Sequence, residues 1–169
     1  WADFDFDASV EAADAKLADT VNAMSADLSE FHQAGGKLIM FHGFADPVVP
    51  VEDSIFYFNR LQDNLSAPVD DYARLFLVPG MNHCSGGDGP LDIDFLTPLR
   101  RWVEDETAPE DVMGRHRTKS GDVTFSRPVC AYPNIAVAQS TASERDSNAF
   151  LCEVGRRPEI TPPAARYIK

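Results

Sequence analysis

Two apolar runs in this chain are each followed by a loop that carries a chemically active side chain. Residues 37–43 (KLIMFHG) lead into a proline-rich stretch, and residues 72–80 (YARLFLVPG) end in a Pro-Gly pair. Continuous apolar runs of this length are typical of parallel strands covered on both faces. Proline cannot continue such a strand, because it has no N–H group for the ladder. The sequence therefore predicts two buried parallel strands, each ending abruptly in a shaped loop.

Helical periodicity separates and follows these strands. Between them, apolar residues recur at a spacing near 3.6, which predicts a helix: Val51, Ile55, Phe58, Leu61 and Leu65. A second helix is predicted after the second loop, with Asp94 as its N-cap and one apolar face: Phe95, Leu96, Leu99, Trp102 and Val103. Upstream, the sequence predicts an extended lead-in at Phe4 and Phe6, a helix over 8–24 and a helical turn within 27–36. Alternating strands and helices with short loops predict an α/β fold with a parallel sheet.

Asp46 and His83 follow the two predicted strands, in that order along the chain. The carboxyl ends of neighbouring parallel strands meet at one edge of a sheet, where catalytic loops collect. An acid followed by a histidine at this edge is the second half of a serine-hydrolase triad. Taken alone, Asp46 would be a turn or capping residue and His83 a surface loop residue. Their joint placement favours the triad, and His42 is expected to be a packed or backbone-bonded histidine near the site.

The nucleophile of such a triad is not recognisable in this sequence. No G-x-S-x-G elbow occurs, and Ser85 lies on the loop after a strand without a helix starting there, which is the wrong position for an elbow serine. We therefore expect the nucleophile to lie upstream of Trp1. A metal site at His83, Cys84 and Asp88 is a weak alternative, because no pair has zinc-ligand spacing. No phosphate loop or dinucleotide fingerprint is present, so no cofactor is expected in this chain.

Charge and cysteine content restrict the class of protein. The formal net charge of -12 argues against nucleic acid or an anionic membrane as partner. No apolar run approaches the roughly 18 residues of a membrane helix, and no signal peptide is recognisable. The three cysteines are Cys84, Cys130 and Cys152. A disulfide between Cys130 and Cys152 would staple a polar loop, but three free thiols are an equally open interpretation.

The character of the sequence changes after residue 107. A small basic cluster occupies 115–119, and residues 122–129 alternate weakly like an edge strand. The remainder is rich in Ser, Ala, Pro and Arg and has little periodicity. We predict that residues 1–108 form a hydrolase core with Asp46 and His83. We predict residues 109–169 as an irregular extension packed on the same domain.

Several motifs in the same order resemble the tannase and feruloyl esterase family. They are GGKLIMFHGFADPVVP, PGMNHCSGG, LRRWVEDETAPEDV and SRPVCAYPNIA, and the resemblance runs from about residue 4 to residue 152. It implies the C-terminal part of an α/β-hydrolase fold, with parallel strands flanked by helices and an irregular disulfide-stapled tail. It also implies that Asp46 is the triad acid, that His83 is the base, and that Cys130 pairs with Cys152. The family's pattern pairs Cys84 with an upstream cysteine beside the nucleophile.

The resemblance implies a function in the hydrolysis of aromatic-acid esters such as feruloyl or galloyl esters. The expected partners are a small aromatic ester and the upstream segment of the same polypeptide, and the expected location is secreted or periplasmic. The family's serine elbow, oxyanion hole and lid with a structural calcium have no counterpart in these residues. The isolated chain is therefore expected to be inactive. The alternatives are a non-catalytic binding fragment with a degenerate hydrolase fold, or another α/β-hydrolase such as a peptidase or a dienelactone hydrolase-like enzyme.

Overall fold

Two parallel strands lie at the centre of the structure, β1 (Leu38–Gly43) and β2 (Ala73–Val78). They are paired in register from Leu38 opposite Ala73 to Gly43 opposite Val78, which confirms the predicted parallel arrangement. Because both strands end at the same level, the loops that follow them start side by side. The structure is a computed structural model that describes residues 4–64, 67–139, 146–158 and 160.

The crossover between the strands contains the predicted helix, α3 (Val51–Asn64). Its apolar face is buried as the spacing predicts: Val51, Ile55, Phe58 and Leu61. Leu65 lies outside the described residues. Phe58 and Leu61 are fully buried and pack in one cluster with Tyr72 and Leu75. Each such side chain stabilises the fold by about 1.5–3 kcal/mol relative to exposure, so this cluster anchors the crossover.

The second face of β2 is covered by the C-terminal part of the chain. Phe76 and Val78 pack with Val112, Val129 and Ala131, whereas the neighbouring Leu75 faces the other cluster. Successive side chains of a strand point to opposite faces. Burial on both faces therefore explains why the run around β2, apart from Arg74, is apolar instead of alternating.

The N-terminal helix, α1 (Phe6–Val21), begins earlier than the sequence indicated. We predicted an extended lead-in through Phe6 and a helix over 8–24. Asp5 instead caps the helix, since its Oδ1 accepts a hydrogen bond from Ala8 N at 3.0 Å. A short helix, α2 (Ser29–Gln33), lies within the predicted turn at 27–36. Across the described ranges, no helix combines the length and apolar character needed to cross a bilayer.

The helix after the second loop is α4 (Leu96–Asp105), whose N-cap residue is Phe95; the predicted cap, Asp94, lies one position earlier and bonds the first turn. Asp94 Oδ1 accepts hydrogen bonds from Leu96 N and Thr97 N, both at 3.0 Å. Burial of its apolar side chains differs from the prediction. Trp102 is buried, but Leu96 and Val103 are exposed, so only part of the predicted apolar face meets the core.

The C-terminal extension contains more strand than the sequence indicated. A short strand, β3 (Asp92–Ile93), pairs with β4 (Asp111–Arg117), and β4 pairs with β5 (Val123–Cys130), which overlaps the predicted edge strand. A separate hairpin consists of β6 (Ile135–Ala138) and β7 (Phe150–Glu153). The described part of 109–169 is therefore more regular than its weak periodicity indicated. The sequence signal was weak because β4 carries glycine and charged residues.

The extension is tied to the core and to itself. Tyr132 N donates to Leu75 O at 2.7 Å, and Ala131 bridges Phe76, so the segment after β5 joins the edge of β2. The disulfide predicted from the resemblance is present: Cys130 and Cys152 are bonded, with Cα atoms 5.7 Å apart. The bond links the end of β5 to β7. The division at residue 108 remains a prediction.

Candidate active site

The acid loop, residues 44–50, folds around the carboxylate of Asp46. Oδ1 accepts hydrogen bonds from Val48 N at 2.8 Å and Val49 N at 3.0 Å. The N–H group of Asp46 itself points back to Gly43 O at 3.2 Å. The Asp46 side chain is only 4% exposed. One carboxylate oxygen is thus held by the backbone, and the other, Oδ2, is available to a neighbouring side chain.

The base loop, residues 79–89, is a tight turn that projects His83 from the end of β2. Asn82 N donates to Gly86 O at 2.9 Å, and Gly89 N donates to Gly80 O at 3.2 Å. Gly87 has a φ of 100°, and a Cβ there would collide with the carbonyl oxygen of Gly80. This position requires glycine for both its conformation and its space. The glycines that mark the loop in the sequence therefore set its shape.

The two loops bring Asp46 and His83 together. His83 Nδ1 lies 2.8 Å from Asp46 Oδ2. A carboxylate with two bonds already accepted from N–H groups accepts a further one here, so Nδ1 is assigned the proton. The His83 side chain is 47% exposed, and its Nε2 makes no hydrogen bond within the described part of the chain. This nitrogen can therefore accept a proton from a group approaching from outside.

Backbone hydrogen bonds lock the two loops to each other. Ala45 N donates to Met81 O at 3.0 Å, and Phe44 N donates to Val78 O at 2.9 Å. Both bonds cross from the acid loop to β2 or the base loop. The distance between the carboxylate and the imidazole is therefore set by backbone pairing and does not depend on the two side chains alone.

The electrostatic environment keeps Asp46 ionised. Burial raises its pKa, but the N–H groups of Val49 and Val48 and the contact with His83 together outweigh burial, and the pKa falls from 3.8 to about 2. Asp46 is thus a carboxylate throughout the neutral and mildly acidic range. It is suited to orient an imidazole and to stabilise its cationic form.

A second histidine reaches the same carboxylate. His42 Nε2 lies 3.1 Å from Val49 O and 3.4 Å from Asp46 Oδ2, and His42 Nδ1 lies 2.7 Å from Ser54 Oγ. The prediction of a backbone-bonded histidine near the site is confirmed. Ser54 was not singled out from the sequence, because nothing in the order of residues pairs the first turn of α3 with the end of β1.

Other acidic and nucleophilic residues near these loops do not join the pair. Asp53 is in the first turn of α3, and Asp92 forms an ion pair with Arg117 at 2.6 Å. Ser85 belongs to the base-loop turn, where its N–H donates to His83 O at 2.7 Å. Cys84 is exposed, has a free thiol and has a φ of 58°.

The arrangement of the described side chains does not support a metal site. No three or more His, Cys, Asp or Glu residues among those described are grouped to hold a metal ion. His83, Cys84 and Asp88 therefore do not form the metal site that was weighed as an alternative. The calcium that the resemblance assigns to a lid remains a prediction for another part of the polypeptide.

The fold and the paired loops define the class. Parallel strands with an acid loop and a histidine loop at their carboxyl ends are the arrangement of an α/β-hydrolase. A family model described as "Tannase and feruloyl esterase" matches residues 2–153, and the chain belongs to this family.

Individual relatives agree with this membership. The chain is 40% identical over 132 residues to a mono(2-hydroxyethyl) terephthalate hydrolase of Piscinibacter sakaiensis, covering 77% of this chain and 22% of that protein. It is 33% identical over 146 residues to a probable feruloyl esterase B-1 of Aspergillus flavus, covering 75% and 28%. The crystal structure of an esterase from Aspergillus oryzae matches with a TM-score of 0.71 and 32% identity, covering 77% and 30%. The chain thus spans less than a third of the length of these relatives.

Proposed function

We propose that this chain supplies the acid and the base of a serine carboxylic-ester hydrolase. In this proposal the nucleophilic serine lies on a segment of the same polypeptide upstream of Trp1. The observation that carries the proposal is the 2.8 Å contact between His83 Nδ1 and Asp46 Oδ2, with Nε2 left open to an incoming hydroxyl. The absence of a G-x-S-x-G elbow from the sequence supports an external nucleophile.

The chemistry follows the division of roles in a triad. His83 Nε2 takes the proton of the serine hydroxyl as its oxygen attacks the ester carbonyl, and then returns that proton to the departing alcohol. Water attacks the resulting acyl-enzyme, giving its proton to His83, and the acid is released as the serine hydroxyl reforms. Asp46 holds the ring orientation and stabilises the imidazolium in both steps.

Aromatic-acid esters are the proposed substrates, with feruloyl, galloyl or similar acyl groups. Support comes from the relatives, which are named as feruloyl esterases and as a hydrolase of a terephthalate monoester. A cavity of about 380 Å³ adjoins Asp46 and is lined partly by Phe44, Val48 and Val51. His83 does not line this cavity, so the support for an aromatic acyl group comes from the relatives.

Cys84 is proposed to form a disulfide with an upstream cysteine beside the nucleophile. Within the described ranges Cys84 is unpaired and exposed next to His83, while Cys130 and Cys152 bond to each other. Such a bond would tie the base loop to the nucleophile's loop and limit their misalignment. Disulfides persist in oxidising compartments, which supports a secreted or periplasmic location. Non-reducing peptide mapping of the full-length polypeptide tests this pairing.

The test of the main proposal is hydrolysis of methyl ferulate and methyl gallate by the full-length polypeptide encoded by the gene. His83→Ala is expected to lower kcat by about 10³-fold or more, because the serine loses its base. His116→Ala is the matched control, since His116 lies on β4 and contacts Thr124. Full activity in His83→Ala would remove His83 from the role of the base. An upstream sequence without a serine elbow would support the non-catalytic alternative instead.

A further inference from the structure

We propose that His42, fixed by Ser54, is a positioning residue for the catalytic carboxylate of Asp46. The inference rests on the proposed function and adds a third side chain to the Asp46–His83 pair. It assigns His42 a role in aligning Asp46 and in moderating how strongly that carboxylate acts on His83.

The carboxylate oxygen Oδ2 of Asp46 lies between two imidazole rings. His83 Nδ1 is 2.8 Å away, and His42 Nε2 is 3.4 Å away. His42 Nε2 is also 3.1 Å from the carbonyl oxygen of Val49, and this contact is a hydrogen bond, whereas the one to Oδ2 is an electrostatic contact. The contact of His42 with Val49 O fixes the acid loop. The longer contact of His42 with Asp46 places the positive end of the N–H dipole beside Oδ2.

Chemistry decides which nitrogen of His42 carries the proton. Nε2 faces a carbonyl and a carboxylate, and both are acceptors only, so Nε2 must be the donor. In the neutral ring Nδ1 is then an acceptor, and Ser54 Oγ donates to it across 2.7 Å. Ser54 lies in α3, so the helix that packs on β1 also holds the His42 ring in the orientation that faces Asp46.

This arrangement has two effects on catalysis. The N–H group of His42 stops the acid loop from swinging Oδ2 away from His83, whose alignment decides proton transfer. It also withdraws part of the carboxylate's charge from His83. Removing His42 should therefore strengthen the pull of Asp46 on the His83 proton. The titratable groups around the pair are Asp46, His42 and His83, with Glu52 of α3 lining the cavity beside Asp46 and Cys84 following His83.

The experiment uses the full-length polypeptide and methyl ferulate, with kcat, KM and the pH profile of kcat/KM measured. His42→Phe is expected to lower kcat about tenfold with little change in KM, because alignment is lost and binding is not. The acid limb of kcat/KM, which reports the base, should move up by about half a pH unit. A merely structural role would lower the active fraction without moving that limb.

Three further variants make the test specific. His42→Gln places an amide N–H near the position of Nε2 and is expected to recover most of the kcat and to return the acid limb toward its original position. Ser54→Ala should shift the limb in the same direction as His42→Phe, by less, and remains informative if His42→Phe does not fold. The matched control is His116→Phe. In the wild type a ring nitrogen of His116 also contacts a hydroxyl at 2.7 Å, but His116 lies on β4. This variant should leave kcat, KM and the acid limb unchanged.

An unmoved acid limb in both His42→Phe and Ser54→Ala would overturn the inference. So would a loss in His42→Gln equal to that in His42→Phe. The His83→Ala variant separates this failure from failure of the proposed function. If His83→Ala abolishes hydrolysis while the His42 variants behave like the control, only the positioning role is lost.

Discussion

Gly43, the last residue of β1, lies directly against the backbone of Asn82, the residue before His83. A Cβ at position 43 would overlap the carbonyl oxygens of Asn82 and Met81. The absence of a side chain therefore lets the acid loop and the base loop approach closely enough for Ala45 N to donate to Met81 O. Position 43 therefore requires glycine, because there is no room for a side chain between the two loops.

Gly43→Ala is expected to reduce kcat by about 10²-fold in the full-length polypeptide. The added methyl must push the base loop away, and displacements of about 1 Å at a catalytic pair have effects of this order. Overpacking should also lower stability by about 1–3 kcal/mol. Steady-state kinetics and thermal unfolding measure the two effects. Gly121→Ala in the turn between β4 and β5 is a control for kcat only, because a φ of 93° at Gly121 strains any side chain there. A kcat equal to wild type in Gly43→Ala would contradict the steric argument.

Asp46 should make stability depend on pH in the acid range. Its pKa in the folded protein is about 2, below the usual 3.8, so the native state binds fewer protons between these values. The stabilisation is complete above about pH 4 and is lost as the pH falls through about 2. The difference in unfolding free energy between wild type and Asp46→Asn should therefore shrink from about pH 4 to about pH 2. Urea titrations over this range provide the measurement, and a constant difference would rule out the depressed pKa.

The disulfide between Cys130 and Cys152 should contribute about 3 kcal/mol of stability. It closes a loop with a sequence separation of 22, which restricts the unfolded chain. The double variant Cys130→Ser/Cys152→Ser is expected to unfold at a lower temperature but to keep its kcat at room temperature. The bond joins β5 and β7, and neither strand carries Asp46 or His83. An unchanged melting temperature would show that the bond adds nothing to stability.

Arg74 should not tolerate replacement by lysine. Its nearly buried guanidinium donates to three backbone carbonyls and to Glu110, and it lies 5.1 Å from the ring centre of Trp102. One ammonium group cannot reproduce this planar set, so Arg74→Lys is expected to cost about 2 kcal/mol. Arg100→Lys is the matched control, because Arg100 is exposed and pairs with Glu104 at 3.6 Å; its effect should stay within about 0.5 kcal/mol. Equal losses in chemical denaturation would contradict the prediction.

Local periodicity predicts the strands that are buried on both faces and the helix that is buried on one face. The strands β1 and β2 are apolar apart from one polar side chain in each, and α3 presents one apolar face. Each pattern therefore indicates one type of secondary structure. The closeness of Asp46 and His83 follows from the same reasoning, because the ends of parallel strands share one edge. The resemblance of the ordered motifs to the family added the pairing of Cys130 with Cys152, which the positions of the cysteines alone left open.

Non-local contacts explain what the sequence did not reveal. In β4 the buried positions are Val112 and Gly114, so the alternation contains one apolar side chain and a glycine. Its strand conformation depends on pairing with β5, which no local window contains. The start of α1 was also misplaced, since a single capping bond from Ala8 N to Asp5 overrode the apparent alternation around Phe6. The contact between His42 and Ser54 is likewise visible only in three dimensions.

In the described part of the chain, β1 is hydrogen-bonded to a neighbour along one side only, β2. Its other side offers a row of open N–H and C=O groups, and Phe41 beside them is 49% exposed. An unpaired strand edge of this kind can hydrogen-bond to β-strands of other molecules. Preparations of these 169 residues alone should therefore self-associate in solution. Biophysical work on these residues will need a fused strand that shields this border.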